Sequence, residues 1–207
     1  MPDSAHRQPV RPAGQWAVGS GQWAVGSGQW MMGPVIGDQW GVTPSETLRW
    51  YPCDGFVTSP ELQAWRGIHV DAPVTTVWPW VAQIRLAPYS YDWIDNRGRR
   101  SPRHLVDLPE PQVGERFTTA GRRKLGRIVS VEPGNQLTAT IMGAFMSYVL
   151  VAQPDGTTRL LLKVVMRTHR WAALGLSIGD LIMARRQLLN LKQLAERHQR
   201  GPATATA

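Results

Sequence analysis

Residues 66–96 read RGIHVDAPVTTVWPWVAQIRLAPYSYDWIDN and contain the clearest structural pattern in the chain. The run 66–70 is rich in β-forming residues and predicts a short strand. Asp71-Ala-Pro then marks a helix start, because proline is favoured in the first helical turn. After it, apolar residues recur at helical spacing, at Val74, Val77, Trp78, Val81 and Ile84. We therefore expect a strand that leads directly into an amphipathic helix.

The rest of the chain predicts a sheet. Further strands are expected at 101–108, 114–119, 126–132, 136–142, 145–153 and 158–168, with Asp155-Gly156 as the strongest hairpin turn. With the strand at 66–70 this makes about seven strands, mostly antiparallel, that end in a meander. Upstream, Thr43-Pro44-Ser45-Glu46 predicts a short helix that runs through Leu48 and Trp50.

The last predicted strand alternates in character, which assigns its two faces. Leucine, valine and methionine at 160, 162, 164 and 166 should face the core, and the intervening set should face solvent: Arg159, Leu161, Lys163, Val165 and Arg167. Lys163 is then not expected to be a buried catalytic amine. A register shifted by one residue would instead turn three cations inward and imply an acidic ligand.

Residues 177–200 predict a long amphipathic helix. Its apolar stripe consists of Leu181, Ala184, Leu188, Leu191 and Ala195, broadened by Ile182 and Leu189. The cations Arg185, Arg186, Lys192 and Arg197 lie largely off this stripe. A curved antiparallel sheet is the expected partner of the stripe. The alternative is a helix that lies on an anionic membrane.

Three runs in the opening stretch resemble a known superfamily. Its pattern is a strand R-x-I-x-I, then A-P-x-x-V-W-x-W-L-x-Q, a Gly-rich link and Y-S-Y-D-W-L-E-N. These parts correspond here to residues 66–70, 72–83 and 89–96. The resemblance is to the SRPBCC or START-like superfamily, in an uncharacterised bacterial branch similar to polyketide cyclases and dehydrases. Segments 40–54 and 178–197 also resemble that branch.

This resemblance implies a fold and a pocket. The fold is α+β helix-grip, also called START-like or Bet v 1-like, in which a curved sheet wraps around a long C-terminal helix. A ligand cavity is expected between the two. Members include cyclases, plant pathogenesis-related proteins and lipid-transfer domains. This chain departs from the pattern at residues 84–88, where its link is shorter than usual, and the mouth of the pocket should differ accordingly.

The chain is expected to form one domain with two tails. Of its 207 residues 43% are apolar, enough for one core. We place a disordered tail at 1–39, the domain at 40–200 and a second disordered tail at 201–207. The first tail repeats GQWAVGS at 14–20 and 21–27 and begins a third copy. Its glycine content predicts a flexible linker rather than a coiled coil. Alternatively, Trp16, Trp23 and Trp30 bind a partner through several weak contacts.

Composition excludes several classes of function. The net charge of +8 comes mainly from arginine and does not by itself indicate a specific nucleic-acid partner. A single cysteine, Cys53, allows no intrachain disulfide and no cysteine-based metal site. The first residues lack the pattern of a signal peptide, and the apolar stretch 171–184 is too short to span a bilayer. We expect a cytoplasmic protein of unknown oligomeric state.

No catalytic motif is present, so candidate site residues come from local chemistry. The aromatic cluster Tyr89, Tyr91, Asp92 and Trp93 suits the rim of a pocket, because tyrosine and tryptophan join an apolar body to a polar tip. The alternative is that Asp92 caps a short helix. Trp80 and Gln83 are expected to face the pocket or the upstream segment, and Trp78 the core. His69, beside Asp71, is a further candidate base.

Three functional hypotheses follow. The first is a carrier or sensor that binds a small hydrophobic or amphiphilic molecule, such as a lipid, polyketide or aromatic metabolite, with no cofactor and no metal. The second is a cyclase, dehydratase or hydrolase that uses Tyr91, Asp92 and His69, and it requires two polar groups that converge in the cavity. The third is an interaction module that contacts a protein or an anionic surface through the tryptophan repeats. Fold alone does not choose among them.

Overall fold

The computed structural model describes residues 39–90, 100–120, 123–167 and 170–201. At 120, 123–124 and 170–182 it describes the backbone alone. A single sheet of seven strands organises the described part of the chain. The strands are β1 (Gln39–Trp40), β2 (Leu62–Val70), β3 (Arg116–Ala120), β4 (Arg123–Glu132), β5 (Gln136–Ile141), β6 (Ala144–Ala152) and β7 (Thr158–Met166). Their order is β1-β2-β7-β6-β5-β4-β3. Strand β1 is parallel to β2, and all other neighbours are antiparallel.

Three α-helices accompany this sheet among the described residues: α1 (Pro44–Leu48), α2 (Val74–Ala82) and α3 (Arg170–Arg200). Helix α1 begins with a capping box in which Thr43 and Glu46 bond to each other's backbone. The α+β class, the mostly antiparallel sheet and the C-terminal helix are confirmed.

The strand and helix of the opening stretch form as expected. Strand β2 ends at Val70, and Pro73 immediately precedes α2. The helix continues as a 3-10 turn at Gln83–Arg85. Of its five expected apolar positions, Val77, Trp78, Val81 and Ile84 are buried, and Val74 is partly buried against the core. The hairpin at Asp155-Gly156 is also confirmed, since Gln153 N–H donates to the Thr157 carbonyl across it at 2.9 Å.

The prediction of a strand at 101–108 is wrong. This segment is irregular, and its backbone bonds to a side chain rather than to a neighbouring strand. Val106 N–H donates to Gln83 Oε1 at 2.8 Å, and the His104 carbonyl accepts from Gln83 Nε2 at 3.0 Å. The seventh strand is instead β1, which has only two residues.

The main core lies between the inner face of the sheet and helices α2 and α3. Helix α3 contributes buried Ala184, Leu188, Leu191, Leu194 and Ala195. Leu189 of the predicted stripe is exposed, and the side chains at 181 and 182 lie outside the described part. The described stripe therefore packs within the molecule, as the pattern at 177–200 predicted, although the helix begins earlier, at Arg170.

The outer face of the sheet is covered by residues 44–57, which we call the strap. Its buried members Tyr51, Cys53 and Val57 form a second apolar cluster with side chains of β6 and β7. Cys53 N–H donates to Ser147 Oγ at 2.8 Å, which ties the strap to β6. Arg159 Nε donates to Glu46 Oε1 at 2.6 Å, which ties it to β7.

The expectation that the outer face of the last strand is solvated is wrong, because the strap covers it. The two faces of β7 alternate as predicted, since its even-numbered residues lie in the main core and Leu161 and Val165 in the outer cluster. The outer side is not solvated, however. Lys163 is only 5% exposed, and its Nζ lies 2.6 Å from Asp54 Oδ1 of the strap. The strap removes this lysine from water and supplies its counter-ion.

Candidate ligand cavity

A cavity of about 270 Å³ lies between the inner face of the sheet and α3. The sheet contributes side chains from β3 to β7, and the helix contributes the turn around residue 184. Most of the lining is apolar. Its members are Ile84, Pro88, Ser90, Phe117, Thr118, Leu125, Ile141, Met142, Met146, Tyr148, Leu162, Met183, Ala184 and Gln187.

Two buried polar side chains meet at the cavity wall. Tyr148 points inward from β6, and its hydroxyl donates to Gln187 Oε1 on α3 at 2.5 Å. Gln187 Nε2 in turn donates to the Pro88 carbonyl at 2.5 Å. This chain of bonds joins sheet, helix and the link after α2 at one point of the wall. Both side chains were missed from sequence, although Gln187 is a polar residue one turn from apolar Ala184 and Leu191.

The short link at 84–88 forms one side of the cavity. Ile84 and Pro88 lie on the wall. The Ile84 carbonyl accepts from Thr118 Oγ1 at 2.9 Å, which holds the link along β3. Asn190 Nδ2 donates to the Tyr89 carbonyl at 2.8 Å, which holds the end of the link against α3. The link is thus fixed on both sides by side chains that satisfy its backbone.

The cavity reaches the surface beside the β5–β6 turn. Met142 and Met183, both in the lining, are 88% and 39% exposed. Met142 and Gly143 are the two central residues of this turn, with φ of 49° and 84°. Positive φ at both positions defines a type I′ turn, in which Asn-Gly is the preferred pair. A methionine at the first position is therefore unusual on conformational grounds.

The structure brings two of the expected site residues together. Gln83 Nε2 donates to the Tyr89 hydroxyl at 2.6 Å, and both side chains are buried. Gln83 also bonds to the backbone of His104 and Val106, as described above. Its amide thus fixes the irregular segment at 101–108 to the end of α2. Their own side chains do not line the cavity, but those of their chain neighbours Ile84, Pro88 and Ser90 do.

The other described candidates lie further away. Trp78 and Trp80 are both buried, and Trp80 packs edge-on against His198 near the end of α3, with ring centroids 6.4 Å apart. His69 lies on the outer face of β2 and is exposed, with Nε2 at 3.2 Å from Asp71 Oδ1. Tyr91, Asp92 and Trp93 lie outside the described residues, as do the tryptophan repeats, so their proposed roles stay predictions.

The strap side of the sheet contains the strongest electrostatic perturbations. Burial raises the pKa of the Cys53 thiol to about 11 and that of the Tyr51 hydroxyl to about 12. Lys163 Nζ lies 4.9 Å from the centre of the Trp65 ring, close enough for a cation–π contact. The Cys53 thiol is therefore protonated at neutral pH and is a poor nucleophile. These groups stabilise the strap and are separated from the cavity by the sheet.

A second depression of about 300 Å³ lies on the far side of α2. Trp78, Arg85 and the proline-rich segment 105–111 line it. Trp78 Nε1 donates to Glu110 Oε2 at 3.0 Å, and Arg85 Nη1 lies 2.7 Å from Glu115 Oε2. These bonds account for the packing of the segment against α2.

Neither a metal site nor a membrane-spanning helix is found among the described residues. Within them no group of three or more histidine, cysteine or acidic side chains is arranged to hold a metal ion. Among the helices described, none combines the length and apolar character needed to cross a membrane.

Comparisons with known proteins assign no family to this chain. No protein-family model matches the chain, and no curated protein matches it. Solved structures that resemble it include a protein of Nitrosospira multiformis, with 13% identity over 67% of this chain and 99% of that one, at a TM-score of 0.47. A protein of Mesorhizobium loti is 18% identical over 68% of this chain and 98% of that one, at a TM-score of 0.44. A third, from Thermobifida fusca, is 17% identical over 64% of this chain and 94% of that one, at a TM-score of 0.44.

Proposed function

We propose that this protein is a helix-grip domain of the SRPBCC or START-like type that binds a small hydrophobic or amphiphilic molecule in the cavity between its sheet and α3. A lipid, polyketide or other aromatic metabolite fits this description. The single observation that carries the proposal is the mostly apolar lining of that cavity, interrupted by the Tyr148–Gln187 pair and by Ser90 and Thr118. The cytoplasm stays the proposed location.

The lining supports binding through burial of apolar surface. Ligand sites are mostly apolar with a few polar groups that fix orientation, and this wall follows that rule. Phe117, Leu162 and Met146 supply the apolar surface, and Tyr148 with Gln187 supplies the polar pair. A ligand would place its apolar body against the sheet and its polar end beside the pair.

The volume limits the size of the ligand. An apolar protein cavity of about 150 Å³ holds benzene. By proportion, about 270 Å³ suits a body of about ten carbon atoms, such as a bicyclic ring system or a medium-length acyl chain. A larger ligand would extend past Met142 and Met183, where the cavity reaches the surface.

The described wall favours a carrier or sensor over acid–base catalysis. Among the lining residues that the structure describes there is no carboxyl, imidazole, amine or thiol group. Those groups and the tyrosine hydroxyl most often transfer protons in enzymes, and the Tyr148 hydroxyl on this wall already donates to Gln187 Oε1. A cyclase or dehydratase would depend on Asp92 and Tyr91, outside the described residues, since His69 lies on the outer face of the sheet. We therefore place binding first.

A cavity-filling variant tests the proposal in solution. Ala184 is buried in the wall, so Ala184→Leu should fill part of the space and weaken binding of a naphthalene-type fluorescent probe by about tenfold or more. Ala152→Leu, at an exposed position of β6, is the matched control and should bind as the wild type does. Equal affinity of all three proteins would show that the probe binds elsewhere.

A further inference from the structure

The depression beside α2 combines an apolar wall with carboxylate groups. Trp78 and Ala82 of the helix lie on one side of it, and residues 105–111 form the other side. Its lining includes two acidic residues, Asp107 and Glu110. The volume of about 300 Å³ is at the lower end of the range of sites for small molecules. We call this depression the acidic groove.

The one cation among the lining residues of the acidic groove, Arg85, is fully bonded. Its Nη1 lies 2.7 Å from Glu115 Oε2, and its Nε donates to the Ala82 carbonyl at 3.0 Å. Its Nη2 donates to the Pro109 carbonyl at 2.5 Å, and only 12% of the side chain is exposed. The charge of Arg85 is therefore balanced by Glu115, which lies outside the lining, and does not neutralise the carboxylates of the groove.

The two carboxylates of the acidic groove have no cationic partner among the described residues. Glu110 Oε2 accepts from Trp78 Nε1 at 3.0 Å, and this donor is uncharged. Asp107 is exposed and makes no hydrogen bond or ion pair with any described residue. The groove therefore carries unbalanced negative charge, although the net charge of the chain is +8. Three basic residues are exposed nearby in the chain but do not line the groove: Arg103, His104 and Arg116.

The backbone that carries these carboxylates is held in place. Val106 N–H donates to the buried Gln83 Oε1 at 2.8 Å, immediately before Asp107. Pro109 and Pro111 restrict the backbone dihedral φ on both sides of residue 110. A site whose backbone is already fixed loses little conformational entropy when a ligand binds. The segment therefore presents its charges beside the apolar wall without rearrangement.

We propose that the acidic groove is a second binding site and that it takes a small organic cation, a protonated amine attached to an apolar body. The ammonium group binds the carboxylates of Asp107 and Glu110 through charge-assisted hydrogen bonds. The apolar body lies against Trp78 and Leu105 of the lining. The inference goes beyond the proposed function and does not rest on it.

The interior cavity does not suit such a cation. Its described lining contains no carboxylate, and a charged group that enters an apolar site loses its hydration without compensation. In the acidic groove the ammonium group stays close to water and to two opposite charges. Salt screens the positive charges on the rest of the surface over a distance of about 8–10 Å, so the adjacent carboxylates dominate.

Ligand-observed NMR with the full chain tests this inference. The probes are phenethylammonium and, as its uncharged counterpart, phenethyl alcohol. Asp107→Asn combined with Glu110→Gln is the main variant, because both changes remove charge at nearly constant shape and the glutamine retains an acceptor for the Trp78 N–H. Glu61→Gln combined with Glu132→Gln removes two exposed carboxylates outside the groove and is the matched control.

The wild type and the control should bind phenethylammonium equally well, and the main variant should bind it about tenfold more weakly. Phenethyl alcohol should bind the wild type and the main variant alike, because it has no charge to lose. Ala184→Leu, which fills the interior cavity, should bind the cation as the wild type does. Asp107→Asn alone should weaken cation binding about threefold, and it provides the test if the double change prevents folding.

Several results would overturn the proposal. One is a wild type to which phenethylammonium does not bind, and another is equal binding of the cation by the wild type and the main variant. An equal loss in the control would show that the cation responds to overall charge rather than to the groove. Loss of cation binding in Ala184→Leu would place the cation in the interior cavity and would equally refute the groove as its site.

Discussion

Replacing Asp54 by asparagine should destabilise the protein, because Lys163 would lose its counter-ion while it stays buried. The Lys163 ammonium is 2.6 Å from the Asp54 carboxylate, and the lysine is only 5% exposed. Removing one partner of a buried ion pair costs about 3–5 kcal/mol. Two features lower this figure here: Asp54 is 22% exposed, so water reaches that side of the pair, and the Trp65 ring retains its cation–π contact.

We therefore expect Asp54→Asn to lower the free energy of unfolding by about 2–3 kcal/mol. For a domain of this size that corresponds to a fall in Tm of roughly 5–10 °C. Urea unfolding followed by circular dichroism measures the change. Asp107→Asn, at an exposed position outside the strap, is the control and should stay within about 0.5 kcal/mol of the wild type.

A double-variant cycle separates the ion pair from other effects. Lys163→Met replaces the ammonium by an apolar group of similar length, so it should recover most of the stability in the Asp54→Asn background. The coupling energy between the two positions should be about 1–3 kcal/mol. A loss below about 0.5 kcal/mol for Asp54→Asn, or additive effects in the double variant, would refute the claim that the strap buries Lys163.

Three further outcomes follow from the contacts described. Burial raises the pKa of the Cys53 thiol to about 11, so a thiol reagent at about pH 8 should label the protein only when it unfolds; prompt labelling of the folded protein would contradict this. The hydrogen bond from Arg159 lowers the pKa of Glu46 below its ordinary value of 4.5. The stability that the ionised Glu46–Arg159 pair contributes is therefore fully present above pH 4.5 and is lost as the pH falls through the lower pKa of the folded state. Glu46→Gln should therefore cost stability at neutral pH and progressively less as the pH falls below 4.5, as shown by urea unfolding over that range; a pH-independent cost would contradict the assignment. Gln83→Leu leaves the Val106 N–H and the Tyr89 hydroxyl without this partner and should cost about 2–4 kcal/mol in urea unfolding, whereas a neutral effect would show that Gln83 does not hold the segment.

Local pattern was sufficient for the parts of the fold that depend on local physics. The alternation in β7 assigned its two faces correctly because side chains of a strand point to opposite sides. The spacing of Val77, Trp78 and Val81 located α2, and Ala184, Leu188 and Leu191 located the buried stripe of α3. Each of these patterns repeats within a few residues and is satisfied by one neighbouring surface.

Contacts between distant segments explain what the sequence did not reveal. Residues 101–108 resembled a strand, but their backbone groups bond to Gln83, and no local pattern shows such a bond. The strap covers Lys163 only because Tyr51 and Cys53 pack across β6 and β7. The hydrogen-bonded pair Tyr148 and Gln187 at the cavity wall was not predicted for the same reason, since the two residues are 39 residues apart in the chain.

Native mass spectrometry of the protein, purified gently from its own cell extract, shows whether the cavity holds a ligand. The wild type and Ala152→Leu should carry a small hydrophobic adduct that is absent from their denatured masses, and Ala184→Leu should carry much less of it because its cavity is partly filled. A wild type that shows only the mass of its chain, or an adduct that is equally abundant in Ala184→Leu, would contradict the claim that this cavity is the binding site.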